Sequence, residues 1–121
     1  MANFQEVGQQ FLQHYYSVFD TNREQLSALY TNESMLTFEG EQKLGTQQIL
    51  EKLGSFNSVK HNIVSYDFQP TVNNGIIAFV NGDLSIDGGQ PLKFSQVFHL
   101  CVGGSAGYYC HNDLFRLNLD G

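Results

Sequence analysis

Apolar residues recur at three- and four-residue spacing from the start of the chain. Phe4, Val7, Phe11, Leu12, Tyr15 and Phe19 follow this rule, with Gln and Glu between them. That is one face of an amphipathic helix. Thr21-Asn22-Arg23-Glu24 has the form of a capping box and predicts a second, shorter helix that buries Leu26, Leu29 and Tyr30. Met35-Leu36-Thr37-Phe38 reads as a short strand ending at Glu39-Gly40. A third helix is predicted from Thr46 to Gly54, with Ile49, Leu50 and Leu53 inward and Gly54 as a left-handed terminator.

After His61 the period changes to two, and the rest of the chain reads as antiparallel sheet. Val64, Tyr66 and Phe68 alternate against Ser65 and Asp67 until Pro70 breaks the run. Asn73-Asn74-Gly75 is a turn, and Ile76 to Leu84 forms a nearly continuous apolar strand. Asp87-Gly88-Gly89-Gln90-Pro91 is the next turn, followed by a long strand from Leu92 to Val102. Gly103 to Gly107 then turns the chain into a last strand, Tyr108 to Leu119. Helices first and a meander afterwards predict an α+β fold, with the helices covering one face of a curved sheet. Phe94, Phe98 and Leu100 alternate with Val97 and Cys101, so both faces of that strand are apolar. Helices cover one face, and self-association through the sheet is expected to cover the other.

Composition narrows the class. A chain of 121 residues is read as a single domain over 1–121, large enough for one real core without staples. Hydrophobic residues at 41%, including 10 Phe, exclude a disordered chain. A net charge of −6 without any basic run disfavours nucleic acid and anionic membrane as partners and suits a basic protein surface. No secretory signal or membrane span is visible, so the two Cys are expected to be reduced thiols in a cytosolic or nuclear protein. On the same ground Asn32-Glu33-Ser34 is a chance match to a glycosylation acceptor.

Three constellations bear on chemistry. His99, Cys101, Cys110 and His111 fall on adjacent strands, but the neighbours Cys110 and His111 point to opposite faces, and neither Cys pair has zinc spacing. No metal is expected. Tyr15 or Tyr16, Glu39, Asp83, His99 and Asp113 offer acid and base groups for a pocket, which needs two of them within reach of one substrate. No nucleophile elbow, phosphate loop or dinucleotide fingerprint accompanies them. Phe38-Glu39-Gly40 and Asp87-Gly88-Gly89 each place a carboxylate at a turn beside apolar residues, the makings of a site for a partner's Lys or Arg.

The run FLQHYYSVFDTNREQLSALYTNESMLTFEG, followed by EKLGSF, YDFQPT, FSQVFHL and NDLFRLNL, closely resembles the nuclear transport factor 2 family. The likeness runs in order from about Phe4 to Leu119. It implies three N-terminal helices on a strongly curved, mostly antiparallel sheet, forming a cone with a hydrophobic cavity and dimerising through the sheet. In that family an aromatic residue from the switch II region of GDP-bound Ran enters the cavity, and basic residues beside it meet acids on the rim. By position, the resemblance makes Glu39 and Asp87 the rim acids. It makes Phe38, Leu92, Leu114 and Phe115 cavity lining, with Phe56 and Val59 beside them. The family also binds Phe-x-Phe-Gly repeats of nucleoporins, and Phe4 stands at the aromatic position that contributes. The implied protein is a homodimeric nuclear import carrier of the cytoplasm and nucleus, enriched at the nuclear pore, with neither cofactor nor catalysis.

Departures from the family pattern concern the same site. Gly88-Gly89 stands where a second rim acid is expected, and Phe38 and Phe4 stand where other members carry Trp. The stretch Gly54 to Lys60 is shorter than in some relatives. Ran binding is therefore expected to persist in weakened form. Two other classes share the cone fold: enzymes such as ketosteroid isomerase and scytalone dehydratase, and repeat-binding dimerisation modules of export adaptors. Likeness in surface turns favours the carrier over the enzyme, and the short chain favours it over the adaptor module.

Overall fold

Helix α1 (Phe4–Thr21) opens a computed structural model that describes residues 3–103 and 107–118. Asn3 caps the helix, its Oδ1 accepting from the N–H groups of Gln5 (3.0 Å) and Glu6 (3.4 Å). The inward face carries Phe11, Leu12, Tyr15, Tyr16 and Phe19. The helix approaches the sheet so closely that a Cβ on Gly8 would lie 2.5 Å from the Phe68 ring.

The predicted second helix is present but is a 3-10 helix, Arg23–Leu29, and the capping box does not form. Thr21 still belongs to the last turn of α1, where its hydroxyl is turned back to donate to the Ser17 carbonyl (2.7 Å), and Asn22 stands at the N-cap of the next helix instead. Leu26, Leu29 and Tyr30 are buried as expected. Helix α2 (Gly45–Leu53) matches the third prediction, with Ile49 and Leu53 buried and Leu50 half-buried. Gly54 ends it with a right-handed backbone (φ −74°) instead of the left-handed one expected. Glycine is needed there for space: a Cβ would meet the Leu50 carbonyl oxygen at 2.9 Å.

The strands are β1 (Met35–Phe38), β2 (Glu41–Leu44), β3 (Val59–Pro70), β4 (Ile76–Ile86), β5 (Leu92–Val102) and β6 (Tyr108–Leu117). They form one open sheet in the order β2-β1-β6-β5-β4-β3, antiparallel except for the β1–β6 pair. β2 was not foreseen, because Glu41-Gln42-Lys43 lacks an apolar alternation. It forms because Glu39 (φ 51°) and Gly40 (φ 87°) make a left-handed two-residue turn that folds it onto β1. β3 starts at Val59, includes Pro70 as its last residue, and shifts register between Ile63 and Ser65. Asn73 and Asn74 both take positive φ in the predicted turn before β4. Leu119, predicted as the strand end, and residues 104–106 of the predicted turn lie outside the described residues.

The helices cover one face of the sheet, where Phe94, Phe98 and Leu100 of β5 and Ile76, Ala78 and Val80 of β4 are fully buried. The opposite face is apolar too. Phe79 pairs with Val97, and Val97 pairs with Leu114, making a row across β4, β5 and β6 that no helix covers. Phe79 is 41% and Leu114 51% exposed.

Candidate functional site

A cavity of about 70 Å³ opens on the helix-covered side of the sheet. Phe38 of β1, Phe56 after α2 and Phe115 of β6 form one wall. Phe38 stacks on Phe115 at 4.5 Å between centroids with planes 5° apart, and meets the Phe56 ring at 5.4 Å with planes tilted by 36°. These contacts arise from topology: the parallel β1–β6 register sets Phe38 directly opposite Phe115. Val59, Leu84 and Ile86 close the other side. Of the positions read from the sequence, Phe38, Phe56, Val59 and Phe115 line the cavity.

Leu114 and Leu92 do not. Leu114 lies between the inward residues Asp113 and Phe115, so strand alternation turns it to the outer face, into the Phe79–Val97 row. Two consecutive strand residues do not share a cavity. Leu92 is partly buried at the first position of β5 but lies outside the cavity walls. His61 and Gln96 line the cavity and were not predicted. Counting by two from Val59 along β3 reaches His61, so the signal was present in the period. The His61 Nδ1 lies 2.7 Å from Asp20 Oδ1, and the His61 backbone N–H donates to Asp20 Oδ2 (2.9 Å), which locks the ring between Tyr16 and Phe19.

The two acids expected at the rim each follow a lining residue by one position: Glu39 after Phe38, Asp87 after Ile86. Both are exposed and both have positive φ, 51° and 53°. One oxygen of each is held by backbone. Glu39 Oε1 accepts from the Leu117 N–H (2.5 Å), and Asp87 Oδ1 accepts from the Ser58 N–H (3.0 Å). Gly88 takes φ +72° in the same turn, a conformation that glycine adopts more readily than any residue with a side chain. Phe4 sits elsewhere, half-buried at the first position of α1.

Beneath the cavity lies a closed polar network. Asp113, 1% exposed, accepts from Gln96 Nε2 (2.8 Å) at Oδ1 and from the hydroxyls of Tyr30 (2.8 Å) and Tyr15 (3.4 Å) at Oδ2. The Tyr15 and Tyr30 hydroxyls are 2.7 Å apart, and Tyr16 donates to Gln96 Oε1 (2.6 Å). Burial raises the Asp113 pKa to about 6 against those three hydrogen bonds, which pull it down. Burial, and then the nearby Asp113 charge, raise Tyr15, Tyr16 and Tyr30 well above the ordinary tyrosine value.

Of the other residues considered for acid–base chemistry, Tyr15 reaches Asp113 directly and Tyr16 through Gln96, whereas Asp83, His99 and Glu39 do not join it. Asp83 and His99 alternate with inward-facing neighbours on β4 and β5 and point to the outer face, and Glu39 is on the rim. Cys110 is fully buried on the inner side, whereas His99 and Cys101 lie together on the outer face, with the His111 ring 6.1 Å from that of His99. Both cysteines are free thiols.

Residues 7–117 match the family described as the nuclear transport factor 2 (NTF2) domain. Nuclear transport factor 2 of Saccharomyces cerevisiae is 51% identical over 120 residues, which cover 96% of this chain and 95% of the yeast protein. Nuclear transport factor 2B of Arabidopsis thaliana is 47% identical over 116 residues, 93% and 92% of the two chains. The solved structure of nuclear transport factor 2 from Cryptosporidium parvum superposes with a TM-score of 0.89 at 52% identity, covering 95% of this chain and 94% of that one. With the cone architecture, the family match and the near-complete coverage in agreement, this chain belongs to the nuclear transport factor 2 family.

Proposed function

We propose that this protein carries GDP-bound Ran through the nuclear pore. The nuclear transport role itself follows from the family. The observation that supports the cargo is the form of the site: an aromatic-walled slot of about 70 Å³ with a turn-borne carboxylate directly after a wall residue on each of two strands. A slot of that size suits one ring of a partner's side chain, and sites for whole small-molecule ligands are typically several times larger, about 300–1,000 Å³. An inserted ring supplies apolar burial, while Glu39 and Asp87 select a segment that brings basic residues beside it. Nucleotide state is read indirectly, because a switch segment of different shape does not enter a rigid slot.

Phe4 belongs, on this reading, to a shallow patch for Phe-x-Phe-Gly repeats of nucleoporins, and the Phe79–Val97–Leu114 row is the homodimer interface. Two patches per dimer prolong residence at the pore while each contact stays weak. The protein then shuttles between cytoplasm and nucleus with enrichment at the pore, and needs neither cofactor nor catalysis. Titration calorimetry against Ran loaded with GDP and with a GTP analogue tests the proposal. Binding to the GDP form alone, at one Ran per subunit, is the expected result; binding to neither form, or equally to both, refutes it.

A further inference from the structure

Residues 54–58 connect α2 to β3 and carry Phe56 in the cavity wall. The backbone carbonyls of this stretch need partners, and one side chain from outside it supplies them. Arg23, the first residue of the 3-10 helix, donates from Nη1 to the carbonyls of Leu53 (3.0 Å) and Phe56 and from Nη2 to that of Asn57 (2.9 Å). Its Nε donates to the Phe19 carbonyl (3.3 Å), and the guanidinium lies over the Phe19 ring at 4.9 Å. Among the described residues no carboxylate pairs with it. A rigid five-donor fork can tie α1 to several carbonyls at once, which the point charge of lysine does not do.

The linkage continues to the rim. Ser58, one residue past Asn57, donates its N–H to Asp87 Oδ1 (3.0 Å) and accepts the Asp87 N–H at its carbonyl (2.7 Å). Arg23 thus fixes the loop, and the loop fixes both a wall ring and a rim carboxylate. Arg23 itself is absent from the cavity walls.

We infer that Arg23 is a positioning residue for the cavity mouth, setting Phe56 and the Asp87 carboxylate through the carbonyls of the 54–58 loop. Its consequence for binding rests on the Ran reading above; its consequence for the loop does not. Arg23→Lys keeps a cation over Phe19 and removes the fork. In that variant, amide exchange at Ser58 accelerates about tenfold or more, as for the loss of a charge-assisted hydrogen bond, while exchange at Phe98 in the core stays unchanged. Affinity for GDP-loaded Ran falls about tenfold by the same reasoning, and Asp87→Ala costs less on the Arg23→Lys background than on the wild type. Arg23→Gln, which keeps two planar donors, restores part of both effects and serves if the lysine variant does not fold.

Unchanged exchange at Ser58, or full additivity of the Arg23 and Asp87 substitutions in affinity, overturns the inference. If wild-type protein does not bind GDP-loaded Ran, the proposed function falls, and exchange at Ser58 alone decides the role of Arg23.

Discussion

Replacing Asp113 with Asn removes a charge from the centre of the protein at almost constant volume. The carboxyl is 1% exposed, and three donors aim at it from Gln96, Tyr30 and Tyr15. Burial nevertheless outweighs the donors and holds its pKa at about 6, above the ordinary 3.8. A folded-state pKa above the unfolded one means that the folded protein binds the proton more tightly. The stabilisation is therefore fully present below pH 3.8 and is lost as pH rises through 6. The gap between the two values corresponds to about 3 kcal/mol in total, of which about 2 kcal/mol falls between pH 4.5 and 7.5. Asn carries no such dependence. Urea denaturation of both proteins across that range, at one fixed protein concentration, yields the difference in unfolding free energy at each pH. The Asn variant should gain on the wild type by about 2 kcal/mol from the acid to the alkaline end. A flat difference, or one in which the wild type gains as pH rises, refutes the reasoning. It would mean that the three hydrogen bonds overcome burial and that the network is built around a stable carboxylate.

Phe115→Ala removes a 5% exposed ring stacked between Phe38 and Phe94, and should lower stability by about 3–5 kcal/mol, read from the urea midpoint. Leu114→Glu places a charge in the centre of the uncovered outer row and should convert the expected dimer to a folded monomer by sedimentation velocity; a wild type that is already monomeric at micromolar concentration refutes the interface. Glu39→Lys reverses a rim charge and should abolish binding of GDP-loaded Ran in calorimetry while leaving sedimentation unchanged; unchanged affinity would remove Glu39 from the site.

The parts of the fold that the sequence revealed are those in which one period runs unbroken. Helix α1 shows its face from Phe4 to Phe19, and β5 shows two apolar faces, the outer one uncovered in the structure as the pattern required. Where local chemistry had two outcomes, the reading went astray. Thr21 has the right spacing for a capping box, but α1 runs through it as its last residue. Gly54 has the right place for a left-handed stop, yet it is glycine because Leu50 O leaves no room for a Cβ. Strand β2 depends on a turn and has no pattern of its own. The site was half legible. Glu39 and Asp87 were recognised at turns, and both turns are left-handed there. Leu114 was misplaced because likeness to the family marked a segment, and only alternation distinguishes Leu114 from Phe115. Arg23 was passed over because its role lies in long-range partners, 30 to 34 residues away, and His61 because the strand period was counted only from beyond it.

The geometry also bears on how such a site divides its work. On the proposed reading, a ring entering the slot contributes apolar burial, about 1.5–3 kcal/mol for one large side chain. Exposed carboxylates contribute less to affinity, because water screens them. Their value lies in rejecting partners, and that depends on their being fixed before the partner arrives. Each carboxylate is fixed through one oxygen only, to Leu117 N or Ser58 N, and the other oxygen has no protein partner among the described residues. The free oxygen is thus presented in a set direction without an entropic cost at binding. Below the slot, Asp113 has its hydrogen bonds supplied from within and offers the guest nothing to react with. On the proposed reading, recognition is confined to the rim, affinity to the rings, and loop 54–58 is the segment through which Arg23 is inferred to hold the two in register.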